Sequence, residues 1–331
     1  MALLITENLN IDFLTTLGSF RAVDNFNIRI EHGQCHGIVG ESGAGKSLAV
    51  QAIMGLIREN SSISCDHLSL EGQDLLGMKR TARNRLVYQS ISIIFQEPQT
   101  SLNPCFTIEY QLHETLKAHG YYSKANRQQR ISELLNDVGI SKTKPVLACY
   151  PHQLSPGILQ RIMIASAIAC DPLLLIADEP TTALDIGEQQ QILELLQSLI
   201  EKRNMALIII SHDFKMLSEQ TDKLTIMYCG QIVESGTTAE VINSPKHPYT
   251  HALLESAPSS WRLEHKSPVP ALKGSTPSLQ HLPVGCYLGP RCPNASAHCV
   301  HRPKLDRSTN HFVRCHFPLT ASTRNPAKND E

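Results

Sequence analysis

The run Gly40-Glu41-Ser42-Gly43-Ala44-Gly45-Lys46-Ser47 fits G-x-x-x-x-G-K-[ST] at every fixed position. The chemistry this spacing supports is phosphate binding. Glycines let successive backbone N–H groups turn inward around a phosphate, and a helix beginning there adds its partial positive charge. Lys46 is expected to bridge the β- and γ-phosphates of a nucleoside triphosphate, and the Ser47 hydroxyl to ligate magnesium. Such a magnesium needs a carboxylate projecting from the end of a neighbouring strand. Leu173-Leu174-Leu175-Ile176-Ala177-Asp178-Glu179 supplies one. Asp178 is the metal-side acid, and Glu179, one residue further, can reach past the metal to polarise an attacking water.

The elements that must position these groups are legible in the hydrophobic pattern. Short apolar runs precede amphipathic helical stretches at residues 35–39 before 46–56, 173–177 before 187–202, and 206–210 before 214–220. Strands buried on both faces and alternating with helices give a mostly parallel α/β sheet. Residues 3–13 and 21–30 alternate apolar and polar side chains around a Gly18 turn, the pattern of a half-buried antiparallel pair. From about 105 to 165 the helical period persists without a strand, which reads as an inserted helical subdomain. Residues 224–228 and 231–235 flank Cys229-Gly230 as in a hairpin. From Pro258 onward prolines crowd in and periodicity fades, so residues 258–331 read as a separate small appendage to a domain spanning 1–257.

Composition excludes several classes. With 41% hydrophobic and 18% charged residues among 331, the chain has the makings of a core and is not disordered throughout. A net charge of −1 offers no basic excess for wrapping nucleic acid. The N-terminus lacks a basic region followed by a long apolar core, and no run of about 18 uncharged apolar residues occurs, so any membrane role is borrowed from other chains. Of ten cysteines, six are scattered singly and read as reduced core thiols. Cys286, Cys292, Cys299 and Cys315 form C-x5-C-x6-C-x15-C in a proline-rich stretch with little else to pack, which suits a metal clip. Spacing alone does not choose the metal.

Taken in order, Asp178-Glu179-Pro180-Thr181-Thr182-Ala183-Leu184-Asp185 resembles the Walker B and D-loop run of ABC ATPases, and Ser211-His212-Asp213 resembles their switch-histidine turn. The resemblance implies that His212 contacts the γ-phosphate and that Asp185 is the D-loop acid. Ile93-Ile94-Phe95-Gln96-Glu97-Pro98 is similar to the family's Q-loop, in which Gln96 would touch magnesium and water, with Asn103-Pro104 continuing toward a transmembrane partner. Leu154-Ser155-Pro156-Gly157-Ile158-Leu159-Gln160-Arg161 stands where the family carries its Leu-Ser-Gly-Gly-Gln signature. Ser155 and Gly157 match. Pro156 replaces a glycine, removing a backbone N–H and fixing φ near −65°, and Leu159 stands where relatives usually carry arginine. Since each nucleotide in this family is clamped by the signature of a second subunit, the departure implies unequal sites and a heterodimer. Phe20, with Leu17 at the alternative register, is the candidate to stack on adenine. The fold implied is an ABC-type nucleotide-binding domain: a RecA-like α/β core, an antiparallel β-subdomain and a helical subdomain, plus a small Cys-rich C-terminal extension.

The cysteine pattern, with Ser244-Pro245-Lys246-His247-Pro248-Tyr249-Thr250 before it, resembles the C-terminal extension of oligopeptide and dipeptide permease ATPases. In those relatives the four cysteines are associated with a [4Fe–4S] cluster. Thiolate ligation leaves structural zinc, free thiols or disulfides open beside it. The degraded signature points within that group toward the Sap type. The resemblance implies a subunit that binds and hydrolyses ATP with Mg2+ and powers transmembrane peptide transport, as import. Its implied partners are a second ABC ATPase, two transmembrane permease subunits and, indirectly, a periplasmic or extracellular substrate-binding protein, with no nucleic acid. Its implied place is the cytoplasmic face of the inner membrane, peripherally bound. The competing readings are a soluble ABC ATPase acting on nucleic acid, against which stand the absence of a second cassette and of long basic elements, and a non-hydrolysing regulatory subunit, against which stand Glu179 and His212.

Overall fold

The computed structural model describes residues 2–16, 18–57, 60–120, 123–182, 184–256 and 272–320. Leu17, Ala183 and the expected 257/258 boundary lie outside the described residues. By chain contacts the protein divides into two interleaved units, one of Met1–Leu3, Ile30–Gln34 and Leu70–Ile210, the other of Leu4–Arg29, Cys35–Ser69 and Ser211–Glu331.

The first unit is built on the parallel strands Ile91–Ile94, Leu174–Asp178 and Ala206–Ile210, with Ile94 opposite Ala177 and Asp178 opposite Ile210. Every residue of the last two strands is buried. Short runs of Leu, Ile and Ala with no polar alternation suit a strand covered on both faces. Between them the helix Ile186–Arg203 carries the chain back, burying Ile192, Leu193, Leu196, Leu199 and Ile200 on one face. Its ends follow the expected chemistry. Asp185 caps the N-terminus, Lys202 and Arg203 sit in the last turn, and Asn204 closes it in the left-handed conformation. The helices Ile108–Ala118, Lys124–Asp137, Thr143–Ala148 and Pro156–Ala167 fill the stretch where a helical insertion was expected. The helix Arg80–Ser90 was not foreseen, because its polar sequence buries only Val87 and Ser90 and leaves no apolar stripe.

The long strands Ala2–Thr15 and Gly18–Glu31, most of whose residues belong to the second unit, are neighbours in one sheet. Ser61–Ser64 pairs antiparallel with the first, placing Asn10 opposite Ser64. The strand Cys35–Val39 pairs in parallel with Lys223–Tyr228, which forms an antiparallel hairpin with Gln231–Thr237. The hairpin turns at Cys229 and Gly230, both at positive φ.

Among the described residues, the C-terminal stretch is stitched to the hairpin's sheet. Phe312–Val313 extends the hairpin's sheet, with Val313 opposite Glu234. Arg314 donates its backbone N–H to Val233 O at 2.8 Å and its Nε to Ile232 O at 2.8 Å. Glu234, fully buried, accepts from the backbone N–H of Lys246 and of His247 and pairs with His311 Nε2 at 2.6 Å. A buried carboxylate can persist only when its lone pairs are met in this way. His311 and Glu234 are 77 positions apart, so no local pattern could announce their pairing.

All ten cysteines are free. The expectation of core thiols holds for Cys229, which is buried, and fails for the other five scattered cysteines: Cys105 is exposed and Cys35, Cys65, Cys149 and Cys170 are half-buried. Each of those five lies near a surface, where a small apolar side chain is tolerated without a core.

Candidate nucleotide site

In the second unit the loop of residues 40–47 joins the strand Cys35–Val39 to the helix Lys46–Met54. Gly43 and Gly45 lie at φ 78° and 91°, where a side chain would be strained. A Cβ on Gly40 would stand 2.3 Å from Met227 O, so only glycine lets the loop leave the sheet there. The Ala44 carbonyl accepts from Gly230 N–H at 3.0 Å, which fastens the loop to the hairpin turn. Ser42 and Gly43 are exposed, Ala44 and Gly45 buried, and Ser47 is half-buried at the first turn of the helix. Lys46, only 6% exposed, reaches back to Gly40 O at 2.9 Å and Glu41 O at 3.1 Å. Its ammonium therefore sits inside the curl of the loop, where phosphate oxygens would replace these carbonyls as acceptors.

His212 is in the same unit, exposed on the turn before the helix Phe214–Gln220. That turn is fixed on both sides: Ser211 N–H donates to Ile38 O at 3.2 Å, and the Asp213 carboxylate caps the helix by accepting from Lys215 and Met216 N–H. Phe20, half-buried in the strand Gly18–Glu31, lies nearly parallel to Phe13 with ring centroids 5.7 Å apart. Phe13 gave no signal as a partner because nothing in its spacing separates it from other strand aromatics.

In the first unit Asp178 ends its strand 5% exposed, and Glu179 follows at φ 48°. Left-handed backbone in a non-glycine residue costs free energy and persists only where neighbours impose it. Here Glu179 N–H donates to Ile210 O at 2.9 Å. The turn swings the Glu179 carboxylate into a polar cluster in which Oε2 accepts from Gln96 Nε2 at 3.2 Å and Thr182 Oγ1 at 2.9 Å. The structure thus brings together Gln96, Glu179 and Thr182, and the last carried no assigned role in the sequence.

Ser155 caps the helix Pro156–Ala167, its Oγ accepting from Ile158 N–H. Pro156 is the first residue of that helix, where the ring's fixed φ suits the start and no intrahelical donor is lost. Buried Gly157 packs so closely on Glu188 that a Cβ would stand 2.6 Å from its Oε1. Asp185 accepts from Glu188 N–H at 2.8 Å and so caps the helix Ile186–Arg203.

Cys286, Cys292, Cys299 and Cys315 line one small cavity of the second unit, with His247, Leu288, His316 and Phe317 among its walls. Burial pushes the Cys315 thiol up to about 11 and raises those of Cys286 and Cys292, and neighbouring thiols of the group add to the shift. Four thiols around one cavity have the donor chemistry for a thiolate-held cation. Their present spacing does not make a ligand set, since among the described residues no group of three or more His, Cys, Asp or Glu is disposed to hold a metal.

No helix among the described residues is long and apolar enough to cross a membrane.

Comparison with known proteins places the chain in a family. The ABC transporter family model matches residues 23–182, and the model for the oligopeptide/dipeptide transporter C-terminal region matches residues 233–299. The dipeptide transport ATP-binding protein DppD of Haemophilus influenzae is 46% identical over 96% of each chain. The peptide transport system ATP-binding protein SapD of Salmonella typhimurium is 41% identical over 96% of this chain and 98% of its own. Among solved structures, cbiO1 from Clostridium perfringens, part of the ABC transporter complex cbiONQ, aligns with TM-score 0.62 at 25% identity over 73% of this chain and 91% of its own. The ATP-binding cassette MJ0796, bound to ADP and Pi, shares the fold with TM-score 0.63 at 23% identity over 71% of this chain and 98% of its own. With that identity running nearly end to end, the chain belongs to the ATP-binding subunits of ABC transporters, in their oligopeptide/dipeptide group.

Proposed function

We propose that this chain binds Mg-ATP through residues 40–47 and hydrolyses it with Glu179 as the base, powering import of peptides through membrane permease subunits. Lys46 and the loop's backbone N–H groups hold the β- and γ-phosphates, and Ser47, Gln96 and Asp178 serve the magnesium. Glu179 takes a proton from a water aimed at the γ-phosphorus, and His212 meets the developing charge on the γ-phosphate oxygens. Magnesium supplies the counter-charge for the leaving diphosphate. The observation that carries this reading is Glu179: held at φ 48°, beside buried Asp178, with its carboxylate oriented by Gln96 and Thr182.

Two ATPase subunits forming a sandwich give Ser155, Gly157 and Asp185 work at the partner's nucleotide. The heterodimer reading rests on Pro156, which begins its helix and has no N–H to offer a nucleotide held by a partner subunit. It predicts that ATPase activity of the assembled pair falls more on mutating Glu179 than on mutating the partner's equivalent base, and equal losses overturn it. Phe20 is the proposed adenine platform. The chain lies peripherally on the cytoplasmic face of the membrane, and its substrate-binding protein is reached only through the permease.

For the four cysteines the proposed occupant is a [4Fe–4S] cluster, with zinc as the second reading. Cys286, Cys292, Cys299 and Cys315 would hold it, and no step of ATP hydrolysis runs through it. Support comes from their shared cavity. Iron and acid-labile sulfide measured on anaerobically purified chain test it, and zinc alone sinks it.

The main reading is tested by ATP binding and turnover of the assembled transporter. Lys46→Ala is expected to abolish binding, and Glu179→Gln to keep binding while abolishing turnover. Normal turnover in Glu179→Gln would overturn the assignment of the base.

A further inference from the structure

Glu41, the second residue of the phosphate loop, is held by side chains from the far end of the chain. Arg291 grips both carboxylate oxygens, Nη1 to Oε2 at 3.0 Å and Nη2 to Oε1 at 3.2 Å, and Thr276 Oγ1 donates to Oε2 as well. Arg291 is 8% exposed and Glu41 27%. The same guanidinium donates to Tyr228 Oη at 3.2 Å, and Tyr228 packs on fully buried Tyr249 with ring centroids 4.7 Å apart. Tyr249 Oη in turn accepts the backbone N–H of Glu41 at 3.0 Å. Loop backbone and loop side chain are therefore both fixed from outside the loop.

Arg291 itself is placed by the Cys-bounded turn. It ends the short helical turn Gly289–Arg291, directly before Cys292. Cys286 N–H donates to Cys299 O at 2.9 Å, and a Cβ on Gly285 would stand 2.3 Å from that oxygen. Gly289 N–H closes onto Cys286 O and Arg291 N–H onto Leu288 O.

We propose that the C-terminal Cys-bounded turn is a strut for the phosphate loop: Arg291 is a positioning residue that clamps Glu41 and so presets the loop for ATP. This rests on the assignment of residues 40–47 as the ATP-phosphate loop. A bidentate guanidinium–carboxylate pair fixes orientation as well as distance. The loop's hollow is then prepared before the triphosphate arrives, and less ordering has to be driven by binding. The strut also gives the otherwise unassigned polar residues of the extension a task, since Thr276 and Arg291 meet on one carboxylate 250 positions away from the latter.

The test is titration of full-length chain with a fluorescent ATP analogue, together with ATPase assays on the assembled transporter. Arg291→Ala is expected to raise the dissociation constant and the KM for ATP about fivefold, with kcat changing less than KM. Arg291→Lys restores part of the loss, because it keeps the charge but not the fork. In a Glu41→Gln background the same Arg291→Ala change costs under about twofold, since its partner is already weakened. Should Arg291→Ala melt early, Thr276→Val provides the milder arm, with an expected rise of about twofold. An unchanged dissociation constant in a stably folded Arg291→Ala or Thr276→Val chain overturns the strut, as does an undiminished effect in the Glu41→Gln background. Wild-type affinity in Lys46→Ala would instead overturn the loop assignment on which the strut rests.

Discussion

Two glutamates of this chain are held in opposite ways. Glu41, in the loop of residues 40–47, is gripped by a guanidinium through both oxygens, whereas Glu179, after the buried strand, accepts from an amide and a hydroxyl. Burial works against ionisation of Glu41, yet the hydrogen bonds from Arg291 and Thr276 and the charges of Arg291 and Lys46 outweigh it and hold its carboxyl below the usual range. Such an acid is a fixture: its charge is spoken for. An acid that must accept a proton from water is better aimed by neutral donors, because a cation in contact drains the basicity the step needs. One carboxylate is thus fixed by a cation in contact, and the other is turned toward an amide and a hydroxyl.

The sharpest way to break this contrast is at Glu179. Replacement by glutamine is expected to lower kcat by about 10²–10⁴-fold, with the dissociation constant for ATP nearly unmoved, in single-turnover assays on the assembled transporter. A matching collapse of binding would mean that Glu179 holds the nucleotide instead.

Acid should loosen the unit bearing the phosphate loop. His36, in the strand leading into that loop, and His247 are fully buried, and burial outweighs all else in pushing them down to about 3 and about 4. Unfolded, both take up protons near pH 6.5, so between pH 6.5 and about 4 the unfolded chain binds more protons and folded stability falls as pH drops. Glu41, with its lowered pKa, adds to the loss below about pH 4.5, its ordinary value. The expected decline is a few kcal/mol, read by denaturant unfolding at pH 7 and pH 5. A flat profile would mean that these histidines are solvated in the folded protein.

A smaller effect tests how Glu179 is aimed. Thr182→Val removes one neutral donor and is expected to lower kcat about fivefold while KM stays put. An equal rise in KM would assign Thr182 to nucleotide binding.

The smallest is structural. Asp213→Ala removes the cap that fixes the His212 turn and should cost about 1 kcal/mol of stability, seen as a lower melting temperature with the ATP-binding constant little changed. No change in melting would show the cap to be dispensable.

Much of this protein is written locally. The glycines and lysine of residues 40–47 specify a phosphate loop, because few other residues tolerate φ 78° and 91° there or offer that charge. The uninterrupted Leu/Ile/Ala runs at 173–177 and 206–210 suit strands covered on both faces, and helix limits at Asp185 and Asn204 follow from capping chemistry. Tertiary structure alone decided the rest. Thr182 joins Gln96 around Glu179 only because the chain turns left-handed after Asp178. Arg291 meets Glu41, and His311 meets Glu234, only once distant strands have paired. A prolyl, half-polar tail gives no periodic signal for such contacts, because their stabilising free energy comes from charge and hydrogen bonding between distant positions and not from any repeating apolar face.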